Sequence, residues 1–283
     1  MNLRHATADV DVTRVSGRAR EPARDTLAGE EPMEIRLAIP QEDGVFTRSL
    51  SVTMRTPGDD FELAAGFLFT EGILAGPSDI ERIAYAPGGT REEEGNVVTV
   101  SIRRGVQLDP KRLLRNFYVT SSCGVCGKAS LDAVRVIAPN ELRPGAPTIT
   151  AGLVGALPER LRADQSLFAR TGGLHAAGLF TPGGELLALR EDVGRHNAVD
   201  KLVGEQFLAG NVPLSQAVLQ VSGRAGFEIV QKAVVAGIPI LSAIGAPSSL
   251  AVDLARESGM TLLGFVREGR FTVYADSGRL ESG

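Results

Sequence analysis

The sequence predicts an α/β protein in which a three-layer α/β/α sheet domain follows a smaller α+β domain. Three observations carry this. Past residue 190 short apolar runs alternate regularly with helical patterns, which is the signature of a sheet covered by helices on both faces. Before residue 105 two pairs of strand-like runs surround a single helical pattern. Between these regions lies a stretch over 138–147 with the proline and glycine content of a linker, and the domain boundary is placed near it.

The expected domains are therefore a disordered tail over 1–30, an α+β domain over 31–140 and an α/β domain over 150–283. The tail is rich in Arg, Asp, Thr and Gly and lacks periodicity. From Met33 the chain alternates through Ile35, Leu37 and Ile39, then through Phe46, Leu50, Val52 and Met54, with Glu42-Asp43-Gly44 as the turn of a β-hairpin. Asp59 and Asp60 are placed to cap a helix that carries Leu63, Ala64, Phe67 and Leu68 and stops near Gly72. Strands over 80–85 and 96–102 follow, then a short helix over 111–115. In the second half a helix over 153–170 precedes a hairpin around Pro182-Gly183-Gly184. The alternation then runs helix 195–207, strand 217–221, helix 225–236, strand 238–243, helix 248–257, strand 261–266 and a final strand 271–274.

At 283 residues the chain can bury a large core, so a globular enzyme is the default. Thirty Lys and Arg against 34 Asp and Glu give a net charge of -4, which offers no general attraction to nucleic acid or an anionic membrane. No apolar run approaches the roughly 20 residues of a spanning helix, and the N-terminus lacks the apolar centre of a secretory signal. A cytoplasmic location is expected.

The only two cysteines stand together in Ser121-Ser122-Cys123-Gly124-Val125-Cys126-Gly127. Such a pair can hold a metal, cycle as a disulfide, or carry one sulfur atom as a persulfide. Zinc would need four ligands, and the chain adds only His175 and His196 outside the tail; the spacing is a weak match and no bound metal is expected. No thioredoxin-like strand order surrounds the pair. A persulfide carrier needs an accessible thiolate, which the neighbouring Lys128 would favour.

Loops at the carboxyl ends of the strands converge at one sheet edge, where Ser222-Gly223-Arg224 and Gly245-Ala246-Pro247-Ser248 open helices. Free N–H groups there suit a nucleotide-like ligand. The densest polar run, from Arg190 to Lys201, lies at a strand-to-helix junction. Its residues serve as caps and ion pairs, or His196, with Asp192, Arg195 and Asn197 beside it, binds ligand or moves a proton. His175 reads equally as a structural histidine and is not assigned a catalytic role. Arg267 and Arg270 flank Glu268-Gly269, which is ordinary hairpin chemistry and also suits a grip on phosphates or a guanine edge.

In combination these segments resemble the FdhD family of formate dehydrogenase accessory sulfur carriers. The resemblance runs from about Arg55 to Tyr274. It is carried by Arg55-Thr56-Pro57-Gly58-Asp59-Asp60, Gly66-Phe67-Leu68-Phe69-Thr70-Glu71-Gly72, Cys123-Gly124-Val125-Cys126-Gly127, Thr171-Gly172-Gly173-Leu174-His175-Ala176-Ala177 and Glu191-Asp192-Val193-Gly194-Arg195-His196-Asn197, with Ser222-Gly223-Arg224, Phe227-Glu228 and Gln231-Lys232-Ala233. It implies a cytidine deaminase-like second domain, with Arg195-His196-Asn197 where a deaminase has its H-x-E, so deamination is not expected. It implies a sulfurtransferase that takes sulfur from a cysteine desulfurase as a cysteine persulfide and passes it to the molybdenum cofactor, Mo-bis(molybdopterin guanine dinucleotide), before that cofactor enters formate dehydrogenase. Cys123 would carry the persulfide with Cys126 as its partner. The cofactor would be held by Phe265, Val266, Arg267, Glu268, Gly269 and Arg270, with His196, Ser222 and Arg224 from the loops described above. A homodimer is expected. The alternative is a chaperone that only binds and inserts the cofactor.

Overall fold

The structure, a computed structural model, describes residues 6–87, 94–109 and 142–281. The expected helix over 111–115, and with it Cys123, Cys126 and Lys128, lies outside the described residues.

Residues expected as a disordered tail instead form a hairpin, β1 (Thr7–Ser16) and β2 (Ala19–Ala28), paired antiparallel along their whole length. Composition misled here because the ribbon stands largely in solvent, so its residues are polar without being unstructured. A two-residue turn, Gly17-Arg18, closes it, with Gly17 at φ 60.

β3 (Glu31–Gln41) and β4 (Gly44–Arg55) form the expected hairpin. After α1 (Asp60–Thr70), β5 (Ile80–Tyr85) and β6 (Val97–Ile102) complete a four-stranded sheet of order β4-β3-β6-β5, in which β3 and β6 are parallel and α1 lies within the crossover. Met33, Ile35, Leu37, Val98 and Val100 point from this sheet into the core with Leu63, Ala64 and Leu68 of α1. Asp59 and Asp60 do not cap α1 as expected. Asp59 precedes the helix at φ 56 without a capping bond, and Asp60 is engaged by Arg55, whose Nε and Nη2 donate to its two carboxylate oxygens at 3.0 and 2.9 Å.

The second half begins with β7 (Ile149–Thr150) and α2 (Ala151–Asp164), capped by Thr150 Oγ1 accepting from Leu153 N. The single helix expected over 153–170 breaks at Gln165, and α3 (Ser166–Thr171) begins anew. The Glu191 carboxylate is the reason: it accepts from the N–H groups of Leu167 and Phe168 at 2.9 and 2.8 Å, acting as a cap supplied from another element.

Then come β8 (His175–Phe180), β9 (Leu186–Asp192), α4 (Arg195–Leu208), β10 (Val218–Val221), α5 (Phe227–Val235), β11 (Ile240–Ala243), α6 (Ser249–Glu257), β12 (Thr261–Arg267), β13 (Arg270–Ala275) and β14 (Leu280–Glu281). Six of these strands form a mixed sheet of order β13-β12-β11-β10-β8-β9, with β10, β11 and β12 parallel. Side chains alternate across it. Val218, Ile240 and Leu263 pack with Val154, Leu157 and Leu161 of α2, while Leu219, Leu241 and Leu262 face the core shared with α4, α5 and α6.

One contiguous core runs from Met33 and Leu63 to Leu202, Leu219 and Ile229, so the two sheets share their hydrophobic interior. The joint is a crossing of α1 and α4 at Gly66 and Gly204. A methyl built on Gly66 would overlap the Asp200 carbonyl outright and lie 2.8 Å from Gly204 N. Among the described residues no helix is long and apolar enough to cross a membrane.

Candidate functional site

The carboxyl ends of β10 and β11 release two loops that run side by side, bridged between Ala225 and Pro247. Gly245 N donates to Gly223 O at 3.0 Å, and a side chain on Gly245 would strike Arg224 at 2.9 Å, so glycine is required for the loops to pack. The start of antiparallel β8 lies beside them. Ser222 N donates to Ala176 O, and Ser222 Oγ accepts from Ala176 N at 2.8 Å. These bonds fix His175 against Gly223, where an added methyl would come within 3.4 Å of the imidazole Nδ1.

A cleft of about 610 Å³ opens at this edge. Pro158, Glu159, Arg162 and Gln165 line it from the end of α2, Phe168 from α3, and Leu174, His175, Val193, Ser222 and Ile244 from the sheet side. The Arg162 guanidinium lies over the Phe168 ring, 3.6 Å from its centroid. The lining thus combines flat apolar walls with a few hydrogen-bonding groups, the make-up of a small-molecule site.

Of the residues expected at the site, Ser222 lines the cleft and the others do not. His196 sits behind it in the first turn of α4, its Nε2 3.3 Å from Glu228 Oε2. Burial first, then the cations Arg195 and Lys232 and the neighbouring His175, outweigh that carboxylate and push the His196 pKa down to about 3, so the ring is neutral at pH 7. Arg224 is exposed on the adjoining loop. Phe265 holds a left-handed φ of 52, pinned by its N–H to Gly245 O at 3.2 Å, and leaves its ring 45% exposed. Val266 turns its side chain into the cluster under α2, where it is fully buried, so that side chain does not line a ligand surface. Alternation along β12 turns it inward between exposed Phe265 and Arg267. Arg267, Glu268, Gly269 and Arg270 form the exposed β12-β13 turn, whose backbone rests on Gly155 of α2.

Much of the polar run from Arg190 to Lys201 is a joint between the two sheets. Asp192 Oδ2 accepts from Thr56 N at 3.1 Å and pairs with Lys201 Nζ at 2.8 Å; its Oδ1 accepts from Gly194 N and Asn197 Nδ2. Lys201 also donates to Thr56 O at 2.7 Å. Deeper in, Asp200 joins Thr70 and Lys232. Burial opposes the charge on Lys232, but Asp200 and Glu71 prevail and raise its pKa. Asp192 and Asn197 are therefore structural.

His175 and the α2 residues Glu159, Arg162 and Gln165 were not assigned from sequence. The signal for His175 was the glycine pair before it, which brings the strand start close to the Ser222 loop. Burial, then the charge of Arg195, lowers its pKa, so it too is held neutral at pH 7. The α2 residues carried no local signal, because only the fold brings that helix end to the sheet edge. Among the described residues no group of three His, Cys, Asp or Glu side chains is placed to hold a metal.

The FdhD/NarQ family model matches residues 29–281. The chain belongs to this family. It is 54% identical over 272 residues to the sulfur carrier protein FdhD of Streptomyces coelicolor, covering 95% of this chain and 94% of that protein. It is 47% identical to the sulfur carrier protein FdhD of Mycobacterium tuberculosis, covering 98% and 96%. A crystal structure described as a formate dehydrogenase accessory protein from Desulfotalea psychrophila matches with TM-score 0.71 at 25% identity, over 98% of this chain and all of that one. The mixed α/β architecture of several sheets and helices is thus shared with a family member.

Proposed function

We propose that this chain is a cytoplasmic sulfur carrier that serves formate dehydrogenase. A cysteine desulfurase persulfide gives its terminal sulfur to the Cys123 thiolate; the S–S bond in the donor breaks, the donor leaves as a thiol, and Cys123 becomes a persulfide. Cys126 is its partner in delivery to the molybdenum cofactor, Mo-bis(molybdopterin guanine dinucleotide), which the protein binds as cargo before insertion into the enzyme. The six-stranded sheet with its flanking helices acts as a cytidine deaminase-like platform for that cargo.

The observation that supports this reading is the cleft at the carboxyl ends of β10 and β11, lined by apolar walls and a few polar groups, in a family whose relatives are named sulfur carriers. Phe168 and Arg162 suit a flat heterocycle, Ser222 and the loop N–H groups suit polar substituents, and the exposed arginines Arg267 and Arg270 suit phosphates. A two-fold pair of chains is part of the proposal.

Incubation with a desulfurase and cysteine should add one sulfur to Cys123, read by mass spectrometry, and Cys123→Ala should leave formate dehydrogenase unactivated. Full activation by a chain carrying Cys123→Ala and Cys126→Ala would refute sulfur transfer and leave cofactor chaperoning in its place. Unchanged guanine nucleotide affinity in Arg267→Ala with Arg270→Ala would remove the turn from the binding surface.

A further inference from the structure

The β1-β2 ribbon supplies no residue to the cleft lining. Its base is seated: Ala6 and Ala28 pack with Leu167, Phe168, Leu174 and Val193, and Gly29 N donates to Ala6 O at 2.8 Å. Beyond that base the ribbon leaves the body, and every residue over 13–22 is exposed. Cross-strand register places Ala8 with Leu27, Val10 with Asp25 and Val12 with Ala23, so Ala8, Val10, Val12, Ala23 and Leu27 share one face, with Asp25 the one charge among them. A two-stranded hairpin with an apolar face is at best marginally stable by itself, so this face calls for a cover.

The same chain carries a surface of matching chemistry that its own ribbon does not cover. On the solvent side of the four-stranded sheet Val45, Val52 and Met54 lie on one face of edge strand β4, exposed by 68, 61 and 47%. At the far end of that strand the turn presents Glu42 and Asp43, both exposed. The ribbon tip is the opposite: over 13–22, Arg14, Arg18 and Arg20 against Glu21 give net +2, which leaves the rest of the -4 chain at -6. Apolar face meets apolar face, and basic tip meets acidic turn.

We propose that the ribbon is an arm that grips a second copy of this chain, its apolar face along β4 of that copy and its tip on Glu42 and Asp43. The arm leaves from the Glu31 end of β3, whereas the acceptor turn lies beyond the Gln41 end. Two copies related by a two-fold axis near the Glu31 ends therefore place each arm along the other's hairpin, and the contact closes as a dimer. Ten-residue strands give a ribbon of roughly 33 by 10 Å. Two reciprocal contacts, each covering both surfaces, bury about 1,300 Å², the size of a stable interface. The inference rests on the two-fold pairing proposed above and names the surface that makes it.

The test is sedimentation equilibrium of the full chain, with circular dichroism confirming that the exposed substitutions leave the fold intact. Wild type should be a dimer whose dissociation constant rises with salt. Arm variant Arg14→Glu with Arg18→Glu and Arg20→Glu should weaken dimerisation at least roughly tenfold, and turn variant Glu42→Arg with Asp43→Arg should do the same. Mixed together they should dimerise again, because each reversed arm then meets a reversed turn. A dimeric wild type whose variants dimerise as well as it does, or whose mixture stays monomeric, overturns the arm and leaves the two-fold pairing standing. A wild-type chain that is monomeric throughout the micromolar range overturns both.

Discussion

Gly66→Ala tests whether the crossing of α1 and α4 fixes the two sheets together. In an isolated helix this change would stabilise by about 0.5–1 kcal/mol, since alanine loses less backbone entropy than glycine. Here the new methyl overlaps the Asp200 carbonyl and lies 2.8 Å from Gly204 N, and both obstacles are helix backbone. Neither can rotate away, so the helices must separate by about 1.5 Å or more to reach ordinary contact distance. That movement pulls Asp200 from Thr70, 2.8 Å away across the joint. Overpacking of this kind costs about 1–3 kcal/mol, and loosening a buried charged hydrogen bond adds about 1.5–3. After subtracting the propensity gain, a net loss of about 3 kcal/mol is expected. Gly152→Ala is the control: it lies in α2 with nothing within 4 Å of the added methyl, and should gain up to about 0.5–1 kcal/mol. Urea unfolding at neutral pH reads both, and thermal midpoints should move in opposite directions. A Gly66→Ala chain within 0.5 kcal/mol of wild type would show that the crossing tolerates a methyl, against about 3 expected, and the geometry argued here would be wrong.

Asp192→Ala removes the acceptor shared by Lys201, Thr56 N, Gly194 N and Asn197, and leaves the Lys201 ammonium buried; a loss of about 3–5 kcal/mol is expected from chemical denaturation. A loss below 1 kcal/mol would mean the joint is solvated, since exposed pairs contribute about that little. His196 has a folded pKa pushed down to about 3 against an ordinary 6.5, so below pH 6.5 the unfolded chain binds the extra proton, and stability falls as pH drops from 6.5 toward 3. His196→Gln should flatten the urea midpoint over that window, and a slope unchanged from wild type would show that the ring is protonated in the fold. Phe265→Gly relieves a left-handed backbone, and should add about 1 kcal/mol of stability while weakening binding of a guanine nucleotide; tighter binding would remove the ring from the ligand surface.

Elements with a strong local period were legible in the sequence. The alternation over Met33 to Met54 and the helix-strand order from Arg195 onward reappear with boundaries shifted by a residue or two, because each buries one face and its pattern records which. What escaped was set by partners remote in sequence. The break at Gln165 depends on Glu191, which supplies the cap from a strand. Asp59 and Asp60 carry the composition of a capping pair, yet Arg55 claims Asp60 through a bidentate bond that only the folded hairpin makes available. The N-terminal ribbon escaped because its amphipathic alternation is weak, and its exposed half has none to show.

The same reasoning separates two kinds of polar residue at the site. Asp192, Asn197, Asp200, Lys201 and Lys232 stand in dense polar motifs, and their partners are other protein groups, so their identities are explained by joining the sheets. Ser222 and His175 are held by backbone bonds and glycine contacts but turn toward open volume. Motif density therefore marks the joint better than it marks the cleft. Because α4 begins at Arg195 and carries Asn197, Asp200 and Lys201 of the joint, a shift at the Gly66 crossing should reach His196 and the loop beside it. Weakened ligand binding in Gly66→Ala, under conditions where the variant remains folded, would follow from that path, whereas intact binding would place the cleft in the rigid six-stranded sheet alone.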